Sequence, residues 1–408
     1  LRAAIACLLG ALLLGLALSA CGSQKNSAVE NGSDTLTIYS SLPLQGPDRG
    51  RARDMVNAIK LALQDSHGKI GPFSITYVSL DSATPEAGTW TGDKVLENAR
   101  KAVRDLNSIA YIGDRDSAAT ALSVPLTNEG NILQVSPSST YDGLTRASRR
   151  QGEPERFYPS GERTFARVVP ADHVQASALV GYMKASGVKR LALLADREIY
   201  GGGLADQVQS AAKRQGIEVV DRGRIDASKG DLSGTARKVA ETGADAFLFA
   251  GTTDTGAARI FTAVAAAAPR MLLFGPAAVA DHAFLEGLPA AVQSQIRVTT
   301  PALPPRLLPR SARSFRDRFR TTFGRQPAPE ALQAYEAASA VLHAIRAAGP
   351  KGNDRRAVTD AFLAIRNRTS ILGRYSIDRN GDTSLSTYAG NRVRHAQFVL
   401  DKVLEVRG

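Results

Sequence analysis

Apolar positions along this chain fall into short runs that switch between a period of two and a period of three to four, the spacings of strands and helices. Leu36 and Ile38 open a strand, Val56, Ile59 and Leu63 share one helix face that Gly68 ends, and Phe73, Ile75 and Tyr77 alternate as a second strand. The pattern continues with a helix over 93–106, a buried strand over 109–112, a helix over 118–129 and a strand over 132–135. After a polar, arginine-rich stretch over 146–163 it starts again. Helices beginning near Val174, Leu204, Leu232 and Thr255 lead to strands over 191–194, 217–220, 247–250 and 271–274. Beyond Thr300, Phe315, Phe319 and Phe323 share one helix face, and a further helix over 331–347 is long enough to need a core of its own. Repeated strand–helix–strand units predict parallel sheets covered by helices, and two such blocks predict two α/β lobes. Open parallel sheets bind ligands at their strand ends, so a cleft between facing lobes is the expected site.

A different pattern precedes the first strand. Residues 1–20 hold one arginine and a long apolar run, the layout of an export signal. The run ends in Leu18-Ser19-Ala20-Cys21-Gly22, which resembles the lipobox of bacterial lipoproteins. That resemblance implies cleavage before Cys21, acylation of its thiol, and a flexible tether over 21–34. The run is also about long enough to span a bilayer as an uncut anchor. The glycine-, serine- and asparagine-rich stretch after Cys21 favours the lipoprotein.

Length and composition narrow the class further. A chain of 408 residues exceeds one ordinary core. The two cysteines, Cys7 and Cys21, both lie in the leader, so neither a cystine framework nor a thiolate zinc site can hold the globular part. The net charge is +12, and +11 without the first twenty residues. Most of the excess is scattered arginine rather than a dense block with interleaved aromatics, which argues against nucleic acid as a partner.

Several stretches resemble the branched-chain amino-acid binding proteins of the type I periplasmic-binding family. They are IGDRDSAAT over 112–120, VSPSSTYDGLT over 135–145 and LALLADREIYGGGLA over 191–205, with smaller echoes at 42–47, 327–340 and 373–382, all in the family's order. The resemblance implies two doubly wound lobes joined by three crossovers, near 163–172, 298–300 and 372–376. Lobe 1 would comprise 35–165 and 300–372, and lobe 2 would comprise 166–299 and 373–408. It also implies an ABC importer's extracytoplasmic solute-binding lipoprotein on the outer face of the cell membrane. Its partners would be permease subunits and a small amino-acid-like or carboxylate-bearing solute, and no cofactor is expected.

Ser117 stands where a strand ends and a helix begins, so its hydroxyl and nearby free N–H groups suit an anion, although an ordinary helix cap looks the same. Ser138, Ser139 and Thr140 offer more donors at the next strand end. The family holds the ligand carboxylate at the positions matching Ser117 and Thr140. Tyr200 matches a tyrosine that covers the ligand from lobe 2, and Thr252 and Thr253 fall at further contact positions. Arg49, Arg51, Arg115 and Asp116 lie on cleft-facing loops or on solvated surface. One departure matters more: the family's acid after Gly-Pro, which pairs with the ligand ammonium, is Ala277 here, following Gly275-Pro276. An unpaired ammonium in a closed cleft costs several kcal/mol, so Asp254 or Asp281 must substitute or the ligand is not an α-amino acid.

An enzyme is disfavoured. The five histidines (His67, His173, His282, His343 and His395) are dispersed, and neither a metalloprotease motif, a nucleophile elbow nor a Walker loop is present. The stronger alternative is an envelope lipoprotein that uses the same fold for sensing or regulation.

Overall fold

The structure, a computed structural model, describes residues 33–406. The leader, Cys21 and most of the tether lie outside them. The first lobe begins with β1 (Thr35–Leu42), α1 (Arg49–Asp65) and a hairpin of β2 (Lys69–Ile70) and β3 (Phe73–Asp81). It continues through α2 (Gly92–Arg104), β4 (Ser108–Gly113), α3 (Ser117–Glu129), β5 (Leu133–Ser136) and β6 (Phe165–Arg167). The strands lie in the order β2-β3-β1-β4-β5-β6, and only β2 is antiparallel. Seven of the eight β1 residues are buried, as expected of a central strand with helices on both faces.

The chain then crosses over. α4 (Asp172–Ala185), β7 (Arg190–Ala195), α5 (Ile199–Gln215), β8 (Glu218–Arg224), α6 (Ser233–Glu241) and β9 (Ala246–Ala250) start the second lobe. α7 (Ala257–Ala267), β10 (Leu272–Gly275), the short helices α8 (His282–Glu286) and α9 (Ala290–Gln293), and β11 (Ile296–Thr300) continue it. A return to the first lobe brings α10 (Arg310–Phe323), α11 (Glu330–Ala348), α12 (Arg355–Leu363) and a small hairpin of β12 (Arg368–Ser370) and β13 (Gly373–Tyr375). A last passage adds β14 (Thr387–Arg394) and β15 (Gln397–Glu405) to the second sheet, whose order is β15-β14-β11-β10-β9-β7-β8. These last two strands are antiparallel, so the second sheet ends in a hairpin rather than in a further wound strand.

Two lobes and three crossovers are therefore present, with two exits later than expected. β11 stays paired through Thr300, so the second crossover follows that residue instead of spanning 298–300. Tyr375 and Ile377 lie in the first lobe's core, so the third crossover falls after Ile377 rather than at 372–376. A buried ion pair explains the latter: Glu336 of α11 accepts from the Tyr375 hydroxyl and from Arg368 Nε, both at 2.7 Å, and holds the hairpin on lobe 1. α11 is buried along most of its length, and its alanines let α1 approach closely while keeping high helix propensity. Among the described residues, no helix is long and apolar enough to cross a membrane.

Candidate functional site

The ends of β4 and β5 in lobe 1 face the ends of β7 and β9 in lobe 2. The β4–α3 junction sits on buried polar contacts. Asp114, wholly buried, accepts from Ser123 Oγ at 2.6 Å; burial lifts its carboxyl to about 7 despite that bond. Ser117 is the first helical residue of α3 rather than its cap; Asp116 takes the cap position without a side-chain bond, leaving the first-turn N–H groups uncapped by it. The Ser117 hydroxyl accepts from Thr140 N and Tyr141 N, each at 3.2 Å, and so ties the two strand ends together.

Ser138 and Ser139 are spent on the same framework. The Ser138 hydroxyl donates to the Arg115 carbonyl at 2.8 Å, and that of Ser139 donates to the Asp114 carbonyl at 3.0 Å. Sequence reasoning read both as ligand donors, yet they brace the loop internally. Thr140 differs: its carbonyl accepts from Asp172 N at 2.8 Å, which places the start of α4 directly beside it.

Lobe 2 presents Tyr200 from the first turn of α5. The glycines after it lie within that helix, and bulkier residues do not fit at two of them. A Cβ on Gly201 would stand 2.1 Å from Asp196 Oδ1, and one on Gly203 would stand 2.5 Å from the Tyr141 ring of the opposite lobe. Asp196, buried at the end of β7, accepts from Glu198 N and Thr255 Oγ1; burial raises its carboxyl to about 6 against these bonds. Thr252 is held in a local turn with Thr255. The Tyr200 phenol is pushed well above its ordinary value by burial and by the nearby Asp172 and Asp196.

The two acids expected to replace the missing one at Ala277 both sit at the rim. Asp281 caps α8 through Phe284 N at 2.7 Å, accepts from Thr253 Oγ1 at 2.7 Å and pairs with Arg51 Nη1 at 3.1 Å. Three donors, one of them a cation, already engage it. Asp254 is exposed among Asp48, Asp116 and Asp281, with Arg115 as its nearby cation. Arg115 itself bonds Asp48 Oδ2 at 2.7 Å. Arg51 comes from lobe 1 and also bonds Glu330, so its contact with Asp281 links the lobes across the mouth. Arg51→Ala should shift the unliganded protein toward an open form by roughly 0.5–1 kcal/mol, the scale of a partly exposed pair. Small-angle scattering would show this as a larger radius of gyration; an unchanged profile would mean that the pair does not hold the lobes.

Sequence reasoning missed two buried acids that meet where the first crossover leads into α4. Asp172 is wholly buried and Asp142 nearly so, and neither Asp172 oxygen has a hydrogen bond of normal geometry. Asp142 Oδ1 meets His173 Nδ1 at 2.7 Å, while its Oδ2 is unpartnered. The wholly buried Tyr388 hydroxyl is unpartnered too and feels both carboxylates. Burial, and then the negative Asp142, raise the Asp172 carboxyl well above the usual range, although Thr140 and Arg167 pull the other way. Charges buried without partners are costly, so three unsatisfied groups in one spot mark a place prepared for something else. The signal available in the sequence was weak: a single acid in each of two otherwise apolar or small-residue segments. Among the described residues, no group of three or more metal-ligating side chains occurs.

Comparison with known proteins fits this two-lobed layout. The family profile described as periplasmic binding protein matches residues 35–393. The chain belongs to that family. An amino acid binding protein of Pseudomonas aeruginosa is 23% identical over 291 residues, 71% of this chain and 73% of its own. A leucine binding protein, LivK, of Thermotoga maritima superposes with a TM-score of 0.78 at 21% identity, covering 91% of this chain and 99% of its own. An R. palustris solute binding protein of an ABC transporter, in complex with benzoate, gives 0.74 at 18%, covering 92% and 98%. At such identities the solved structures speak for the fold alone.

Proposed function

We infer that this chain is the solute-binding component of an ABC importer, carried on the outer face of the membrane by an acyl group at Cys21 and docking on permease subunits. Its solute is an amino acid or a close analogue, gripped at both ends. The carboxylate meets the uncapped first turn of α3 beside Ser117 and Thr140, where N–H groups and the helix dipole favour an anion. The ammonium meets Asp172, with Tyr388 and Tyr200 around it. The observation that carries this reading is the fully buried Asp172 carboxylate, neither oxygen of which has a hydrogen bond of normal geometry, with the Thr140 hydroxyl as a neighbour that only partly offsets its burial. It supplies the negative charge that Ala277 lacks.

A second reading draws on that same raised carboxyl and on the benzoate-binding relative. A protonated Asp172 donates a hydrogen bond to a neutral or anionic solute that carries no ammonium. Calorimetry with leucine, its deaminated analogue 4-methylpentanoate, and benzoate separates the two. The amino-acid reading expects leucine to bind, 4-methylpentanoate to bind far more weakly, and Asp172→Asn to cost leucine about 2–4 kcal/mol, the scale for losing one partner of a buried charged pair. Tight binding of the deaminated acid, or leucine binding that survives Asp172→Asn, would sink it in favour of the second.

A further inference from the structure

The strongest charge asymmetry outside the cleft lies along α10. Residues 306–325 hold seven arginines and a single acid, Asp317. Ala312, Phe315 and Phe319 bury the inner face of the helix, which turns most of these arginines outward. Two are committed to structure: Arg318 to Asp65 and Arg325 to Asp54. Arg306 and Arg310 are exposed and have no acidic partner among the described residues, and exposed Arg320 reaches Asp317 only at 3.6 Å. Leu307, 42% exposed, sits within the same band. Between α10 and the last turn of α1 lies a groove of about 760 Å³ whose lining includes Arg310, Arg313 and Asp65.

Its position gives this band a direction. The Asp34 carbonyl accepts from Ser74 N at 2.7 Å, Ser74 pairs with Lys69, and Lys69 N bonds the carbonyl of Ser66, the C-cap of α1. The chain therefore enters lobe 1 within a few residues of the α1 terminus that forms the groove. Of the described surface, this end of lobe 1 is therefore close along the chain to the segment before residue 33.

We propose that the arginine face of α10, with Leu307 at its start, docks lobe 1 on an anionic lipid surface. The placement rests on the acyl anchor inferred at Cys21; the charge complementarity does not. Exposed guanidinium groups gain attraction to anionic headgroups within a Debye length and form bidentate bonds to phosphate, while an exposed leucine enters the headgroup region. Docking there would limit the lobe's tumbling about its tether.

The test uses the full chain carrying Cys21→Ser, so that no acyl group contributes, sedimented with phosphatidylglycerol or phosphatidylcholine vesicles. Any apolar leader that remains binds both alike, so the readout is the ratio between the two. The expected result is a preference for phosphatidylglycerol that salt abolishes. It should fall about a hundredfold when Arg306, Arg310 and Arg320 are all changed to Ala, since each basic residue near the surface is worth roughly a factor of five. Equal partition onto both vesicles, or a preference that survives the triple substitution, overturns the proposal and leaves an acidic protein surface as the occupant. Fractionation of cells carrying Cys21 or Ser at that position tests the anchor separately. A soluble parent chain would remove the anchor without touching the vesicle preference.

Discussion

Replacing Arg167 with Leu is expected to destabilise the protein by about 3–5 kcal/mol, the usual cost of removing one member of a buried ion pair. The side chain is wholly buried where β6 meets the first crossover. Its Nε donates to Asp382 Oδ1 at 2.8 Å, Nη1 to the carbonyls of Ser139 and Tyr141, and Nη2 to the Thr145 hydroxyl. One guanidinium thus ties together the β5 loop, the crossover and the returning chain near residue 382. Leu would take the donor from the buried Ser139 carbonyl, leave the Tyr141 carbonyl with the long bond from Leu144 N alone, and leave Asp382 paired with the half-exposed Arg146. Burial alone would raise the Asp382 carboxyl, but Arg167 and Arg146 outweigh it and hold it at about 2. A folded-state value below the ordinary 3.8 contributes stability that is fully present above about 4 and is lost as pH falls toward 2. Thermal unfolding at pH 7 should show a large drop for Arg167→Leu, and the loss of stability between pH 4 and pH 2 should be shallower than in the parent. A variant that melts like the parent at pH 7 would mean that the network does not hold the hinge.

Periodicity alone gave the two wound lobes, because strands and helices advertise themselves over a few residues. The crossovers were harder. Thr299 and Thr300 look like the polar end of a strand, yet Thr299 is wholly buried between β10 and β14, where its partner Gly390 is ninety-one residues away. The β12–β13 hairpin looks like an exit until Tyr375 is seen to bond Glu336, thirty-nine residues earlier. At the site, residue types were legible and side-chain partners were not. Ser117, Ser138 and Ser139 were rightly read as polar groups at strand ends, but nothing in their spacing says that their hydroxyls serve neighbouring backbone groups rather than a solute. Asp142 and Asp172 are thirty residues apart and meet only because the first crossover lays Asp172 N against the Thr140 carbonyl. Asp281 is one of two acids that the sequence offers in place of the one missing at Ala277, and nothing in the sequence shows that a capping bond and Arg51 already engage it.

Asp172→Asn is expected to stabilise the unliganded protein at neutral pH while removing its grip on an ammonium. The carboxyl is raised first by burial and then by Asp142; Arg167 and the Thr140 hydroxyl offset this only in part, and Tyr200 and Tyr388 bring phenols rather than cations to the same spot. His173 is engaged by Asp142. In the unfolded chain Asp172 ionises near pH 4, whereas in the folded chain it keeps its proton to a higher pH. Over that interval the unfolded state binds fewer protons than the folded one, so this group's contribution to stability falls as pH rises and carries no penalty below about 4. Asn is neutral throughout and lacks that slope. The melting-temperature difference between variant and parent should therefore be near zero at pH 4 and grow by pH 7.5, where a gain of about 1–3 kcal/mol is the scale for relieving a poorly partnered buried polar group. The sign for the solute is opposite: an ammonium favours the ionised carboxylate, so leucine should bind the parent more tightly as pH rises across the same interval, and the variant should show neither the affinity nor the slope. This is the stability–function trade expected where a site keeps a charge unsatisfied until its ligand arrives. Equal differences at pH 4 and pH 7.5, or a variant less stable than the parent at both, would assign Asp172 to the framework instead of to the solute.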